Sequence, residues 1–190
     1  KYLPDSKVKY AIQSINIQSG IFCLMKDRFQ DIIWVGADGQ GIYMYFTDEF
    51  SIENVLLDVP EYRVNNPVRA LFLDHEQTLW IGTKGGGILR MMDFHPDRET
   101  LPQAERILAN NSALMDNSVY SFAPGRRNSL WIGTEDGLNY YSYLTKRIEE
   151  FPVIADGKKV KYVHSICETN DSTLWVVSAG EGIVKITLEA

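Results

Sequence analysis

The sequence contains Leu79-Trp80-Ile81-Gly82-Thr83 and repeats it as Leu130-Trp131-Ile132-Gly133-Thr134, with looser copies at Ile33-Trp34-Val35-Gly36-Ala37 and Leu174-Trp175-Val176-Val177-Ser178. These four copies hold all four tryptophans of the chain, which are 46, 51 and 44 residues apart. A regular spacing of this size is typical of an array of small, similar sheets. We therefore interpret Trp34, Trp80, Trp131 and Trp175 as structural positions of a repeat.

Each copy lies in the same local context, which the second repeat shows most clearly. An apolar run, Val68 to Asp74, precedes the tryptophan strand, the turn Lys84-Gly85-Gly86-Gly87 follows it, and Ile88 to Met92 forms another run. Short apolar runs separated by glycine-rich or polar turns indicate antiparallel strands. The sequence therefore predicts an all-β fold of four-stranded antiparallel meanders of about 45 residues each, the dimension of β-propeller blades.

The repeats predict how the chain is divided. We expect a lead-in at 1–18 that supplies the outer strand of a preceding blade, blade 1 at 19–60, blade 2 at 61–110, blade 3 at 111–156 and an incomplete blade 4 at 157–190. The lead-in strand is expected at Tyr10 to Ile17, where apolar and polar residues alternate. The glycines of the tryptophan strands should leave room for a neighbouring sheet, and Val177 breaks that rule in the last repeat.

Composition excludes several classes of function. The net charge of −6 provides no basic excess for binding nucleic acid or an anionic membrane. Apolar runs such as Ile42 to Phe46 are too short to span a bilayer, so no direct membrane insertion is expected. Cys23 and Cys167 lie in apolar strands and are expected to be buried free thiols. No histidine pair has a ligand spacing, so we predict no metal and no cofactor.

The segment from Leu79 to Ile88 resembles the two-component regulator propeller repeat, as does the segment from Asp116 to Leu138. The resemblance extends over roughly residues 19 to 190. It implies that the chain is about four blades of a seven-bladed propeller in the periplasmic sensor region of a bacterial hybrid two-component system. Receptors of that family carry their membrane span, histidine kinase and response regulator elsewhere in the chain, and many are similar in sensing oligosaccharides.

The resemblance thus implies a non-catalytic, extracytoplasmic sensor segment whose parent protein is a sensor histidine kinase. Its expected partners are an oligosaccharide ligand and either further propeller blades or a second protomer, as in a homodimeric receptor. Four blades of a larger ring would leave two blade faces bare, and exposed apolar faces favour association.

One column of the aligned repeats differs from its neighbours. The first strands carry, at equivalent positions, Phe22, Arg69, Tyr120 and His164. Because the first strand of a propeller blade lines the central channel, these residues are expected to ring one mouth of it. The turns after the tryptophan strands should share that rim and contribute Asp38, Lys84, Glu135 and Glu181. Aromatic rings together with charged groups are suited to sugar binding. The alternative is that the candidate positions are merely variable, solvent-exposed loop positions.

Two other functions stay open at this stage. A structural or protein-interaction propeller would use the same blades without a small ligand. A propeller-fold polysaccharide lyase or hydrolase would need a positioned acid, base or nucleophile, and adjacent acidic pairs such as Glu149 and Glu150 point to opposite faces of a strand.

Overall fold

The computed structural model describes residues 12–55, 60, 63–96, 102–169 and 172–188. None of these residues forms an α-helix, and accordingly none forms a helix suited to crossing a membrane. The regular structure consists of antiparallel strands joined by turns, in agreement with the all-β prediction.

Four sheets follow one another along the chain, and in each the strands pair in chain order. The first contains β1 (Ile21–Lys26), β2 (Ile32–Ala37), β3 (Ile42–Phe46) and β4 (Ser51–Asn54). The second contains β5 (Val68–Leu73), β6 (Thr78–Thr83), β7 (Ile88–Met92) and β8 (Gln103–Ile107). The third contains β9 (Val119–Gly125), β10 (Ser129–Thr134), β11 (Gly137–Ser142) and β12 (Arg147–Phe151). After a hairpin of β13 (Ile154–Ala155) and β14 (Lys158–Lys159), which the sequence did not predict, the fourth contains β15 (Val163–Glu168), β16 (Thr173–Ser178) and β17 (Gly182–Thr187).

The four sheets pack side by side through their first strands. Strand β1 lies against β5, β5 lies against β9, and β9 lies against β15. Three hydrophobic clusters fill the spaces between successive sheets and contain Trp34, Trp80 and Trp131, each at most 5% exposed. The sheets are therefore consecutive blades of a β-propeller, with the first strands innermost.

Close approach between blades explains the glycine of the tryptophan strand. A methyl group at Gly82 would lie 2.8 Å from Cγ1 of Val119, in the first strand of the next blade. The same relation pairs Gly36 with Val68 and Gly133 with Val163, each at 2.7 Å. Protein interiors leave no space for an additional carbon at such distances, so the glycine follows from blade stacking.

The fourth blade lacks this contact within the described residues. Trp175 is 39% exposed and Val177, where the other blades have glycine, is 42% exposed. Ile183 of the adjacent strand is exposed as well. Because no described blade covers this face, a β-branched side chain is accommodated at the glycine position.

Two expectations need correction. Residues 12–17 form no strand, and the rest of the predicted lead-in strand lies outside the described residues. Both cysteines are free, but only Cys23 is partly buried, whereas Cys167 is exposed. Burial raises the pKa of the Cys23 thiol to about 11. Cys167 is exposed because its strand, β15, belongs to the blade that has one uncovered face.

Candidate functional site

Each of the four first strands contains a β-bulge at the same position. In β1 the register passes from the pair Ile21 and Ala37 directly to the pair Cys23 and Gly36, so Phe22 has no partner. The equivalent irregularity leaves out Arg69 in β5, Tyr120 in β9 and His164 in β15. A bulge frees one residue from the ladder and changes the direction of its side chain. The unusual column of the sequence is therefore a column of bulge residues.

The four bulge residues meet around one cavity of about 290 Å³. Its lining consists of Phe22, Arg69, Lys84, Tyr120 and His164. These side chains come from all four blades, because the first strands are neighbours. The structure thus brings together five of the eight residues proposed from the sequence.

Arg69 and Phe22 contact each other on one side of the cavity. The guanidinium carbon of Arg69 lies 3.7 Å from the centre of the Phe22 ring, a close cation–π contact. The Nε atom of Arg69 is buried and has no hydrogen-bond partner within the described residues. Arg69 also forms no ion pair with a described carboxylate, in contrast to Arg90, which binds Glu105 at 2.8 Å.

Tyr120 and His164 form a second contacting pair in the lining. Their ring centres are 4.8 Å apart with an interplanar angle of 38°. The Tyr120 hydroxyl donates a hydrogen bond of 2.8 Å to Oε2 of Glu135. Burial, together with this bond and the charge of Glu135, raises the pKa of Tyr120 to about 12. Glu135 is therefore bonded to a lining residue but is not itself part of the cavity lining.

The turn residues are only partly where the sequence placed them. The backbone N–H groups of Asp38, Lys84, Glu135 and Ala179 each donate to the carbonyl oxygen of the residue that precedes their blade's first strand. These four positions are structurally equivalent, so the fourth-repeat equivalent is Ala179, two residues before the predicted Glu181. Neither Asp38, which is exposed, nor Glu181 lines the cavity.

Three acidic residues that the sequence reasoning missed are structural. Asp27 and Asp74, which directly follow the first strands of blades 1 and 2, accept hydrogen bonds from the indole N–H groups of Trp34 and Trp80 at 2.9 and 2.8 Å. In blade 3 the strand ends in Pro124 and Gly125, and the Trp131 indole donates instead to Glu168 of the next blade at 2.8 Å. An aspartate six residues after the first apolar position of the strand was the available signal for the first two.

A larger cleft of about 440 Å³ lies between blades 3 and 4, next to Trp131, Tyr140 and Phe151. Its aromatic rings pack edge to face on one another. The carboxylate of Glu168 in this cleft already accepts bonds from the Trp131 indole and the backbone N–H of Arg126. We take the smaller cavity as the candidate site, because residues of all four blades line it and its Arg69 guanidinium is paired with no described carboxylate.

Among the described residues no group of three or more His, Cys, Asp or Glu side chains is arranged to hold a metal ion. No described carboxylate lines the cavity, and Glu135 accepts a hydrogen bond from the lining residue Tyr120. The arrangement offers cationic donors and aromatic faces, which suit binding.

Comparison with known proteins places these features in context. Residues 63–85 and 113–136 match a sequence model described as two component regulator propeller. Over 181 residues the chain is 28% identical to Histidine kinase P4 of Formosa agariphila, an alignment that covers 93% of this chain and 13% of that protein. The chain thus spans a small part of the curated relative that it matches.

Two solved structures are similar in fold. The extracellular domain of the hybrid two component system BT3049 from B. thetaiotaomicron has a TM-score of 0.60 and 18% identity, covering 98% of this chain and 29% of that one. PorZ, a surface component of the type-IX secretion system of Porphyromonas gingivalis, has a TM-score of 0.67 and 14% identity, covering 95% of this chain and 28% of that one. These identities show the fold alone. The two matched segments are therefore similar to two-component regulator propeller repeats, and the solved structures show that the chain has the β-propeller fold.

Proposed function

We propose that this chain is a ligand-sensing part of the extracytoplasmic, periplasmic region of a hybrid two-component sensor histidine kinase, and that its ligand is an oligosaccharide. The repeat type and the similarity to a histidine kinase over most of the chain support the sensor role. The segment itself is non-catalytic in this proposal, since its cavity supplies binding groups and no described carboxylate lines it.

The observation that carries the binding role is the convergence of four bulge residues on one cavity. Phe22, Tyr120 and His164 offer ring faces, on which the C–H groups of a sugar ring can pack, while Arg69 offers donors to hydroxyl or charged oxygens. Small-molecule sites characteristically combine aromatic walls with a few convergent polar groups.

The signalling role is supported by the origin of the cavity residues in different blades. Because each blade contributes one bulge residue, a bound ligand contacts four blades at once. A ligand shifts an equilibrium between two arrangements only by its difference in affinity for them. A ligand that bridges blades can have such a difference, and we propose that the kinase elsewhere in the protein responds to it.

The proposal is tested by screening the purified protein against an array of neutral and charged oligosaccharides and measuring the affinity of the positive compounds by calorimetry. Phe22→Ala removes one wall of the cavity and should weaken binding at least about tenfold, the typical cost of losing an aromatic contact. Phe29→Ala is the matched control, because Phe29 is 47% exposed against 41% for Phe22 and lies beyond the other end of β1.

Two results would contradict the proposal: no saccharide binds, or Phe29→Ala and Phe22→Ala weaken binding equally. The exposed face of blade 4, with Trp175, Val177 and Ile183, favours the second candidate function, a propeller that associates with further blades or a second protomer. A blank screen combined with concentration-dependent dimerisation in sedimentation would support that alternative.

A further inference from the structure

The charge lining the cavity is one-sided, which is unexpected in a protein of net charge −6. Two of the five lining residues, Arg69 and Lys84, are cationic, and no lining residue is a carboxylate. The acidic group of Glu135 accepts the hydrogen bond of the Tyr120 hydroxyl. Asp136, the next residue, is neutralised by Lys159 and Lys161, whose ammonium groups lie 2.6 and 2.8 Å from its carboxylate. Within the described part of the chain, neither Arg69 nor Lys84 forms an ion pair with a carboxylate.

The Arg69 guanidinium is the group in the cavity that is best suited to bind an anion. Its Nε atom is buried without a hydrogen-bond partner, and within the described residues no carboxylate is paired with it. Leaving a buried donor unsatisfied is costly, and a planar guanidinium is suited to bind an oxyanion through two parallel hydrogen bonds. The Phe22 ring lies against the guanidinium, whose carbon is 3.7 Å from the ring centre, and so restricts where the guanidinium can move.

The size of the cavity restricts the rest of the ligand. Its volume of about 290 Å³ is at the lower end of the range for small-molecule sites, roughly 300–1,000 Å³. The Tyr120 and His164 rings, 4.8 Å apart, provide two further aromatic groups in the lining, beside the Arg69 and Phe22 pair. This space suits one ring with an attached charged group, and not several rings.

We infer that the cavity binds a single sugar ring carrying an oxyanion, a carboxylate or a sulfate ester, with Arg69 and Lys84 contacting the anion and the aromatic side chains contacting the ring. The inference rests on the proposed function, because it names the class of saccharide that the same site selects. In an oligosaccharide this ring would be a terminal unit.

The test compares ligands that differ only in the charged group. Calorimetry or ligand-observed NMR on the full chain measures the affinities of glucose, glucuronate and glucose 6-sulfate, with inorganic sulfate as a fourth probe. We expect at least one charged sugar to bind about tenfold or more tightly than glucose, as a charge-assisted hydrogen bond provides. The preferred sugar distinguishes carboxylate from sulfate, and weak binding of inorganic sulfate shows that the ring contributes.

Three variants locate the effect. Arg69→Gln and Lys84→Gln should each remove most of the preference for the charged sugar and reduce its dependence on salt concentration. Lys84 is exposed on a turn, so its variant tests the inference even if Arg69→Gln fails to fold. Arg147→Gln, on the outermost strand β12 of blade 3, removes the same charge away from the cavity and should bind like the wild type.

Equal binding of glucose and the charged sugars, with Phe22→Ala still weakening both, would overturn this inference and leave the proposed function standing. Failure of every saccharide to bind would overturn both. A loss of preference in Arg147→Gln as large as in Lys84→Gln would show a general charge effect and would also overturn the inference.

Discussion

The guanidinium carbon of Arg69 lies 3.7 Å from the centre of the Phe22 ring, although the two residues belong to different blades. Both are bulge residues, so neither is held by the regular ladder of its own sheet. The contact joins blades 1 and 2 at the innermost strands and, at the same time, forms one wall of the candidate site. It therefore links the stability of the blade junction to the geometry of the cavity.

We expect a measurable coupling between these two residues. In a double-mutant cycle with Phe22→Leu and Arg69→Met, urea unfolding should give a coupling free energy of about 0.5–1 kcal/mol, typical of a partly exposed cation–π pair. In the control cycle, Arg147→Met is combined with Phe22→Leu in place of Arg69→Met. Because Arg147 is remote from Phe22, the two changes in unfolding free energy should be additive. Additivity in the first cycle as well would show that the contact contributes no stability.

The second prediction concerns the stability of the blade contact at Gly82. Gly82→Ala places a methyl group 2.8 Å from Cγ1 of Val119 and should lower the free energy of unfolding by about 1–3 kcal/mol, as overpacking does. Gly20→Ala is the matched control, because a methyl group there meets no atom closer than 3.5 Å. Adding Val119→Ala to Gly82→Ala should cost less than the sum of the two single changes. A fully additive double variant would argue against the blade contact.

The buried carboxylate of Asp74 makes a third prediction. One of its oxygens accepts hydrogen bonds from the backbone N–H groups of Glu76 and Thr78, and the other accepts from the Trp80 indole. Asp74→Asn turns one acceptor into a donor that faces another donor, which should cost about 1–3 kcal/mol of unfolding free energy. Urea unfolding followed by tryptophan fluorescence measures the loss. The exposed control Asp48→Asn should change stability by less than about 0.5 kcal/mol, and an equal loss in both variants would contradict the structural role.

The blades could be predicted from the sequence because their pattern is local. Three sequence patterns reflect contacts within one blade or between neighbouring blades: the tryptophan copies, the alternating strands and the glycine turns. The strand predicted at residues 10–17 had only alternation to support it, and residues 12–17 form no strand. Alternation alone does not ensure pairing, because a strand also needs a partner edge.

The residues of the candidate site could be predicted from one column of the aligned repeats, but their arrangement in space could not. The sequence identified four positions because their residues differ in class: Phe22, Arg69, Tyr120 and His164. The β-bulge that frees each of them depends on the register with the second strand of its blade, which the residue types do not indicate. Glu181 was misplaced because equivalence in the turns is set by a backbone hydrogen bond, which puts Ala179 at that position. The Trp131 bond to Glu168 crosses between blades and has no local signal.

The fourth prediction concerns alkaline pH and Tyr120. Its pKa is raised to about 12 from an ordinary value of 10, chiefly by burial and then by the bond to Glu135, so folding favours the protonated hydroxyl. A raised folded pKa contributes stability that is fully present below pH 10 and is lost as the pH rises from 10 towards 12.

The wild type should therefore lose more unfolding free energy between pH 8 and pH 11 than Tyr120→Phe, as measured by urea unfolding. Tyr45→Phe, which lacks a hydrogen-bonded carboxylate among the described residues, is the control and should follow the wild type. Parallel pH profiles for the wild type and Tyr120→Phe would show that folding does not raise the pKa of Tyr120.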